Sequence, residues 1–354
     1  MGRHSKESVK EKKKISVFKI ILRILLVILI ILVILAGIGI GFISSKLGKI
    51  NVEKIDETQI GISEDTEKEL SGYRNIALLG IDSRADDYGL GNRSDCIIIA
   101  SMDQKTKNIK LISVYRDTYM QVEEKGKTVL DKVTHAYSYG GAQNTLKSLN
   151  ANLDLNISEY LTVNFDAVIA AVNVMGGVTI DIENEELKYI NDYVHATSES
   201  SGVKSSDVTR AGKQTLDGVQ AVAYSRIRYT AGGDYKRTER MRTVIEAMLT
   251  KAKTLSVGQL NQLVNTMLPK INTNITGTEI LGLAPSIASY NITESMGWPY
   301  ETKGITLDRW YGVPVTLESN VEKLHKEVFG QNDYVVNSTI KDISNQIIKK
   351  TNYK

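Results

Sequence analysis

The longest apolar run of the chain lies close to its N-terminus. Residues 24–43, "ILLVILIILVILAGIGIGFI", form twenty positions without a charged side chain. A helix rises 1.5 Å per residue, so this run spans about 30 Å, the thickness of the hydrocarbon core of a bilayer. A cleaved signal peptide is the alternative, but its apolar region is shorter, roughly 7–15 residues, and ends in a small-residue cleavage site. The pattern therefore predicts an uncleaved transmembrane helix.

Shorter apolar patterns beyond residue 72 predict alternating strands and helices. Three runs, "YRNIALLGID", "DCIIIASMD" and "IKLISVYRDT", are typical of buried strands, and "KTKN" between the last two predicts a hairpin turn. "EYLTVNFDAVIAAVNVMGGVTIDI" predicts a strand, a helix that stops at two glycines, and another strand. Periodic spacing predicts helices over "GAQNTLKSLNANL" and "DYKRTERMRTVIEAMLTKAKTL". This alternation predicts an α/β fold.

Other stretches have weaker patterns. Residues 185–210 are polar and serine-rich, and we expect them to form a long surface excursion. "AGKQTLDGVQAVAYSRIR" predicts a short helix that leads into a strand, and "VEKLHKEVFG" predicts the last packed helix. The predicted organisation is a basic tail (1–23), a transmembrane helix (24–43), a stalk (44–72), a folded domain (73–330) and a loose polar C-terminal tail (331–354).

The charge distribution orients the chain across the membrane. Residues 1–23 hold eight lysines and arginines and two glutamates, so the positive-inside rule assigns this end to the cytoplasm and the single folded domain to the outside. The chain carries a net charge of +3, less than the excess in this tail, so the remainder is net acidic. A nucleic-acid-binding domain would be basic, and we therefore expect no nucleic-acid partner.

The single cysteine, Cys96, excludes an intramolecular disulfide. Its neighbours in "SDCIIIAS" predict a buried strand position, where cysteine acts as a small apolar residue; a catalytic thiol is the alternative. An exported domain without disulfides is more typical of a bacterial surface than of the secretory route of a complex cell.

Charged residues flank the first two predicted strands of the folded domain. Asp82 and Arg84 follow the first strand, and Arg93 and Asp95 precede the second. Ligands of α/β proteins collect at strand ends. Two carboxylates there can share Mg²⁺, and arginines can hold phosphate oxygens. An ordinary polar loop with salt bridges is the alternative. "GLGNRS" lacks the third glycine of a dinucleotide fingerprint and leads into a strand, which argues against a dehydrogenase.

Two further candidates follow the third predicted strand. Arg116 ends that strand and is expected at the same sheet edge as Asp82 and Asp95; a weak strand-end ion pair is the alternative. His135 in "DKVTHAYSYGG" could act as a base. Because no serine or cysteine nucleophile signature accompanies it, we interpret His135 as structural.

An arginine-rich stretch, "YSRIRYTAGGDYKRTERMR", covers residues 224–242. Arg226 and Arg228 are two residues apart and would share one face of a strand. Arg237 and Arg240 are three apart and would share one face of a helix, from which Arg242 falls away into solvent.

The convergence of these four arginines would need an anion among them, because guanidinium groups repel one another. Together with Arg93 and Arg116 they suit a pyrophosphate, and Asp82 and Asp95 would bring the metal that bridges its oxygens.

These motifs together resemble the LytR-CpsA-Psr family of bacterial envelope proteins over residues 73–252. The resemblance lies in the order and spacing of "LLGIDSR", "NRSDCIIIAS", "LISVYRDT", "DKVTHAYSYGG", "VNVMGGV" and "AGKQTLDGVQAVAYSRIRYTAGGDYKRTERMR". It implies a mixed central β-sheet flanked by α-helices, with an apolar tunnel for a lipid tail to which "LTVNFDAVIAAVNV" would contribute. Plain core packing is the alternative for any single residue of that segment.

The resemblance also implies an activity. Such proteins transfer a glycopolymer from a polyprenyl-pyrophosphate carrier to peptidoglycan through a phosphodiester bond, on the outer face of the cell membrane of a Gram-positive-type bacterium. The chain would then be a Mg²⁺-dependent (or Mn²⁺-dependent) phosphotransferase with a pyrophosphatase side activity. A polyprenyl-phosphate sensor without turnover and a transcription attenuator are the alternatives. The sequence leaves open whether the polymer is wall teichoic acid, capsule or another secondary polymer.

The family's functional residues carry over onto matching positions. The metal ligands would be Asp82 and Asp95. The catalytic residues would be Asp82, Asp95, Arg116, Arg226 and Arg228. The pyrophosphate ligands would be Arg93, Arg116, Arg226, Arg228 and Arg237. Arg84, by its place at the strand end, and Arg240, by its place on the helix face, are further candidates for pyrophosphate binding.

Three positions depart from the family pattern. Met241 stands where the family has Gln, Tyr115 where it has Pro, and Thr134 where it usually has Asn. Methionine cannot donate a hydrogen bond to phosphate. The loss of one such contact could cost roughly 1.5–3 kcal/mol, so activity or substrate preference is expected to differ.

Overall fold

The structure of the chain, a computed structural model, describes residues 51–83, 87–276, 279 and 289–354. Its strands are β1 (Asn51–Val52), β2 (Tyr73–Ile81), β3 (Ser94–Asp103), β4 (Asn108–Val114), β5 (Tyr119–Glu124), β6 (Lys127–Lys132), β7 (Glu159–Asn164), β8 (Val178–Ile182), β9 (Gly212–Leu216), β10 (Asn272–Thr273), β11 (Asn291–Trp298), β12 (Thr302–Thr306) and β13 (Trp310–Pro314). Its helices are α1 (Glu64–Glu69), α2 (Thr134–Leu153), α3 (Phe165–Val174), α4 (Asn184–Ser201), α5 (Gly218–Arg226), α6 (Gly233–Ala252), α7 (Val257–Met267), α8 (Leu317–Phe329) and α9 (Ser338–Thr351).

The predicted cytoplasmic tail, the transmembrane helix of residues 24–43 and Arg84 lie outside the described residues. Across the described ranges, no helix is both long enough and apolar enough to cross a membrane.

A seven-stranded sheet in the order β1-β10-β7-β2-β3-β4-β11 forms the centre of the fold. The β2–β7 and β4–β11 pairs are parallel, whereas β2–β3 and β3–β4 are antiparallel. The α/β prediction and the mixed central sheet are therefore confirmed, and the "KTKN" hairpin lies between β3 and β4 as predicted.

Both faces of the central strands are covered, which explains why their sequences read as continuous apolar runs. Leu79 and Ile97 belong to a core that also contains Leu146 of α2. Leu78 and Ile98 alternate with them and pack on the opposite face against Ile245 of α6. Helices thus cover the sheet on each side.

The strand register brings three loop ends to one edge of the sheet. Ile81 at the end of β2 pairs with Ser94 at the start of β3, and Ser113 near the end of β4 pairs with Ile98. Residues that follow β2 and β4, or begin β3, therefore meet at this edge.

Residues 331–354, predicted as a loose polar tail, contain the packed helix α9. Ile340, Ile343 and Ile347 recur at helical spacing, are buried and belong to the largest core. The prediction was wrong because three isoleucines among polar residues are enough for one apolar helix face.

The described part of the predicted stalk, from residue 51 onward, also packs onto the domain. Ile60 and Leu70 are buried in the same core, and β1 pairs with β10. The folded unit therefore begins before the predicted boundary at residue 73.

Residues 185–210 are not a surface excursion over their first half, because α4 spans Asn184–Ser201. A capping box joins Glu183 and Glu186, and Ile190 and Val194 are buried at helical spacing. The serines at the end of this helix obscured the helical spacing of its apolar residues in the sequence.

Candidate functional site

Asp95, the second residue of β3, is the centre of a charged cluster at the sheet edge. Arg116, which follows β4, forms an ion pair with its Oδ1. Nη2 of Arg237 on α6 lies 3.7 Å from Oδ2 and also donates to the Asp95 carbonyl oxygen at 3.2 Å. Nη2 of Arg228 lies 3.9 Å from the same Oδ2. We call these four residues, together with Asp234, the Asp95 cluster.

The two arginines from the C-terminal side are brought in by a glycine turn. Gly232 and Gly233 have φ values of 90° and 49°, a region that non-glycine residues rarely adopt, and α6 begins there. Asp234 in its first turn lies 3.6 Å from Arg228 Nε and 3.3 Å from Arg237 Nη1. The turn thus orders Arg228 and Arg237 around one carboxylate of their own segment.

Burial dominates the electrostatics of the two carboxylates in the cluster. Burial raises the pKa of Asp95, although Arg116 and Arg228 act in the opposite direction. Burial and the neighbouring Asp117 likewise raise the pKa of Asp234. Both groups therefore accept a proton more readily than an exposed aspartate does.

The arginines of the cluster retain unused donors. Within the described residues, Nε of Arg116 and Nε of Arg237 are buried and have no hydrogen-bond partner. The Arg237 side chain is only 2% exposed, whereas that of Arg228 is 46% exposed. Because buried donors are costly when unpaired, these atoms are positioned for a ligand that accepts hydrogen bonds.

A second layer of charge continues along the strand end. Asp117 Oδ1 lies 3.6 Å from Arg116 Nε and 2.7 Å from Lys132 Nζ at the end of β6. Lys132 thereby balances Asp117 and leaves Arg116 available to Asp95.

The two predicted metal ligands lie at the same sheet edge. Asp82 directly follows β2 and is exposed, and its backbone N–H donates to the Arg93 carbonyl oxygen at 3.4 Å. Arg93 is exposed, and its charge opposes the rise that burial causes in the pKa of Asp95. Within the described residues no group of three or more His, Cys, Asp or Glu side chains is arranged to hold a metal.

The net charge of this sheet edge favours a divalent cation only when an anionic ligand is bound there as well. Mg²⁺ typically takes one or two carboxylates and completes its shell with water and substrate phosphates, so a pair of carboxylates such as Asp82 and Asp95 is compatible in number and type with this ion. The cationic side chains of the edge (Arg93, Arg116, Arg228, Arg237 and Lys132) exceed its carboxylates (Asp82, Asp95, Asp117 and Asp234) by one. A bound pyrophosphate diester with two negative charges would make the net charge of this edge negative, and one divalent cation would make it positive again.

Arg226 and Arg228 do not share a strand, in contrast to the sequence prediction. The predicted strand at "YSRIR" is instead the end of helix α5. Strand β9 comes first, and the capping box at Asp217 starts the helix directly after it. Arg226 therefore points elsewhere: its Nη1 donates to Thr197 at 2.9 Å and its guanidinium lies 5.4 Å from the Phe165 ring centroid.

Arg240 is likewise engaged outside the Asp95 cluster. Its Nε pairs with Glu186 at 2.6 Å, and its other nitrogens donate to the Ile227 carbonyl and the Thr230 hydroxyl. Both charged side chains are buried, so Arg240 fixes the turn that carries Arg228 and is no free phosphate ligand. Arg242, expected in solvent, is half-buried with a buried Nη1.

The alternative assignments for two other residues can now be decided. Burial raises the pKa of the Cys96 thiol to about 12, which disfavours the thiolate that a nucleophile needs. His135 is buried, and its Nδ1 lies 2.8 Å from Asp131 Oδ2. This agrees with the structural interpretation of His135.

The three departures from the family pattern are accommodated locally. Tyr115 lies over Gly297 of β11, where an added Cβ would come within 2.0 Å of its hydroxyl. Thr134 donates to the Ser94 carbonyl at 2.9 Å, and Met241 is 6% exposed. The effect of Met241 on activity stays a prediction.

Sequence reasoning missed the residues that support the site from other elements. Glu186 was hidden in the segment interpreted as a surface excursion, although its capping box gave a signal. The hairpin β12–β13 was not predicted; its Gly312 N–H donates to the Asp117 carbonyl at 3.0 Å.

Comparisons with known proteins identify the family and the fold. A family model described as the LytR_cpsA_psr family matches residues 43–326. The polyisoprenyl-teichoic acid–peptidoglycan teichoic acid transferase TagT of Bacillus subtilis (strain 168) is 32% identical over 237 residues, which cover 65% of this chain and 70% of that protein. The transferase of the same description named TagU, from Enterococcus faecalis (strain ATCC 700802 / V583), is 32% identical over 212 residues, 59% of this chain and 64% of that protein. The solved structure of TagT bound to LI-WTA superposes with a TM-score of 0.57 at 26% identity, over 80% of this chain and 94% of that chain.

Proposed function

We propose that this chain, which belongs to the LytR-CpsA-Psr family, transfers a glycopolymer from a polyprenyl-pyrophosphate carrier to peptidoglycan. The observation that carries the proposal is the Asp95 cluster, in which three arginines from two parts of the chain, the end of β4 and the segment around the start of α6, meet at one sheet edge. The names of the relatives, which are transferases of teichoic acid to peptidoglycan, support this substrate class and favour wall teichoic acid as the polymer.

The arginines bind the pyrophosphate in this proposal. Arg116 and Arg237 each have a buried Nε that makes no hydrogen bond among the described residues, although Asp117 lies 3.6 Å from that of Arg116. Arg228, which is partly exposed, closes on the ligand from the solvent side. Guanidinium groups suit this task because each can give two parallel hydrogen bonds to phosphate oxygens.

The transfer step exchanges one phosphorus–oxygen bond for another. The oxygen of an acceptor sugar hydroxyl attacks the sugar-proximal phosphorus and forms the new phosphodiester bond. The bond from that phosphorus to the bridging oxygen breaks, and polyprenyl monophosphate leaves with the electron pair. Fixed positive charge stabilises the transferring phosphoryl group. The hydroxyl proton passes to a carboxylate, for which Asp234 is our candidate because burial raises its pKa.

A Mg²⁺ or Mn²⁺ ion belongs to the proposal as a cofactor. Asp82 and Asp95 would hold it, and the charge balance of the sheet edge supports it. When bound, the ion would neutralise charge on the pyrophosphate. The pyrophosphatase side activity follows if water replaces the sugar hydroxyl.

The membrane anchor also belongs to the proposal. Residues 24–43 would cross the bilayer, with the N-terminus in the cytoplasm and the folded domain outside. Tethering would keep the domain at a high effective concentration of its lipid-linked substrate.

A reconstituted transfer assay tests the proposal. The full chain in detergent is given a polyprenyl-pyrophosphate-linked glycopolymer, peptidoglycan and Mg²⁺. We expect polymer covalently attached to peptidoglycan and an equal amount of polyprenyl monophosphate. Tight binding of the lipid without either product would refute the transferase proposal and favour a lipid sensor.

A further inference from the structure

An exposed tryptophan lies beside the Asp95 cluster on the hairpin β12–β13. Trp310 starts β13 and is 42% exposed, although indole side chains are usually covered. The chain's other tryptophan, Trp298, is fully buried, and its Nε1 donates to the Asn320 carbonyl at 3.2 Å. Trp298 has an ordinary core role, and Trp310 does not.

The hairpin is fixed directly to the strand end that carries the site. Gly312 N–H donates to the Asp117 carbonyl at 3.0 Å, and Gly312 forms a bridge with Thr118. The indole of Trp310 lies against Gly304, where an added Cβ would come within 2.9 Å of its Nε1. The ring therefore rests on backbone and has a defined place.

A shallow crevice joins Trp310 to the carboxylates of the site. It has a volume of about 10 Å³, room for about one water molecule or one hydroxyl group. Asp117, Asp234, Tyr235 and Thr302 line it together with the indole. The buried Thr302 hydroxyl has no hydrogen-bond partner among the described residues.

A second aromatic ring borders the same crevice. Tyr235 directly follows Asp234 on α6 and meets Tyr115 edge to face, with 4.5 Å between the ring centroids. An added Cβ on Gly312 would lie 3.3 Å from the Tyr235 hydroxyl and 3.6 Å from the Trp310 ring. Both aromatic side chains thus converge on the backbone of Gly312.

We propose that Trp310 and Tyr235 form a stacking platform for a pyranose ring of the acceptor glycan. One face of a pyranose presents C–H groups of slight positive charge, which the negative face of an aromatic ring attracts. One ring hydroxyl fits the crevice, where Asp117 and Asp234 offer acceptor oxygens and Thr302 offers a hydroxyl. The inference rests on the proposed transferase function and names the place of its second substrate.

The acceptor, and not the lipid-linked donor, suits this position because of the charges around it. The donor is held through its pyrophosphate by Arg116, Arg228 and Arg237. Among the described residues, the side chains that line the crevice include two carboxylates but no arginine or lysine. They therefore accept hydrogen bonds from neutral sugar hydroxyls and offer phosphate no cation. A sugar on Trp310 would bring its hydroxyl close to Asp234, the candidate proton acceptor.

A kinetic experiment with a matched control tests the platform. In the transfer assay with the full chain in detergent, Trp310→Ala should raise KM for solubilised peptidoglycan glycan about tenfold, the equivalent of one stacking contact. KM for the lipid-linked donor should stay within about twofold, because the arginines are unchanged. Trp310→Phe should recover most of the acceptor KM. Leu307→Ala is the control, since Leu307 is 43% exposed on the same hairpin.

Fluorescence gives a readout that needs no turnover. Because Trp298 is buried, solubilised glycan should change the emission of Trp310 alone, and Trp310→Ala should abolish that change. An unchanged acceptor KM in Trp310→Ala, a raised donor KM instead, or no emission change with glycan would overturn the platform. If the wild-type chain transfers no polymer, the proposed function fails, while the emission titration still decides whether Trp310 binds glycan.

Discussion

At the scale of single residues, three arginines of one short stretch differ in role although their side chains are chemically identical. Arg228 is partly exposed beside Asp95, Arg237 is buried beside it, and Arg240 is buried against Glu186. Their partners separate binding from support. All three guanidinium nitrogens of Arg240 are engaged by oxygens of the fold, whereas Arg228 and Arg237 flank Asp95 at the sheet edge. Breaking the buried pair of Arg240 would leave a buried charge without compensation.

Replacement of Arg228 should therefore affect catalysis more than folding. We expect Arg228→Ala to lower kcat/KM for polyprenyl monophosphate release by about 10²–10³-fold, the usual cost of one transition-state donor. Its melting temperature should stay close to that of the wild type, because the side chain is 46% exposed.

The matched control for Arg228 is Lys236→Ala, which removes an equally exposed cation that pairs with Glu239 on the outer surface of α6. Equal activity of Arg228→Ala and the wild type in a steady-state assay would remove Arg228 from the site.

Asp131 allows a prediction about pH and stability. Burial alone would raise its pKa, but hydrogen bonds from His135, Tyr139 and the Lys132 backbone lower it to about 2. The lowered pKa means that the charged form is stabilised in the folded state. This stabilisation is fully present above about pH 4, and it is lost as pH falls toward 2.

Asp131→Asn should therefore lower the free energy of unfolding at pH 7 by on the order of 2 kcal/mol. The difference from the wild type should shrink between about pH 4 and pH 2 in urea unfolding series. Asp342→Asn, an exposed change on α9, serves as the control. A difference that stays constant down to pH 2 would contradict the assigned network.

At the scale of elements, the ion pair between Glu186 and Arg240 joins α4 to α6 and to the turn between α5 and α6. Arg240 also holds the Ile227 carbonyl and the Thr230 hydroxyl of that turn. The sequence predicted α6 correctly from its period. It could not predict the partner of Arg240, because that contact joins residues 54 positions apart and depends on tertiary packing. Helix α4 itself carried local signals, a capping box and the spacing of Ile190 and Val194, which its serine-rich end obscured.

Breaking this pair should be costly, since it leaves a buried charge without compensation. We expect Arg240→Met to lower the free energy of unfolding by about 3–5 kcal/mol in urea titrations. The double variant Arg240→Met/Glu186→Leu should regain much of that loss, because no charge is then buried. Lys147→Met, which breaks the exposed pair with Glu123, should cost less than about 1 kcal/mol. A single variant as stable as the wild type would refute the supporting role.

At the scale of the whole molecule, local periodicity was sufficient for four strands of the sheet, β2, β3, β4 and β7, but not for β1, β10 and β11. It was also sufficient for the sheet edge that carries Asp82, Asp95 and Arg116. Strand ends are fixed by polar residues along the chain, so their common edge follows from strand direction. Periodicity was insufficient for Trp310, whose position depends on the pairing of the hairpin β12–β13 and its bridge to Thr118. The C-terminal helix was missed for another reason: its apolar face is narrow.

That helix should nevertheless be required for folding of the whole domain. Ile343 is buried in the core shared with Leu146 of α2, and α9 also packs against α8 and β5. Ile343→Ala should lower the free energy of unfolding by about 2–5 kcal/mol, because it leaves a cavity in that core. Gln346→Ala on the exposed face of α9 should change it by less than about 0.5 kcal/mol. Urea unfolding of both variants distinguishes a packed helix from a loose tail, since a tail would tolerate the two substitutions equally.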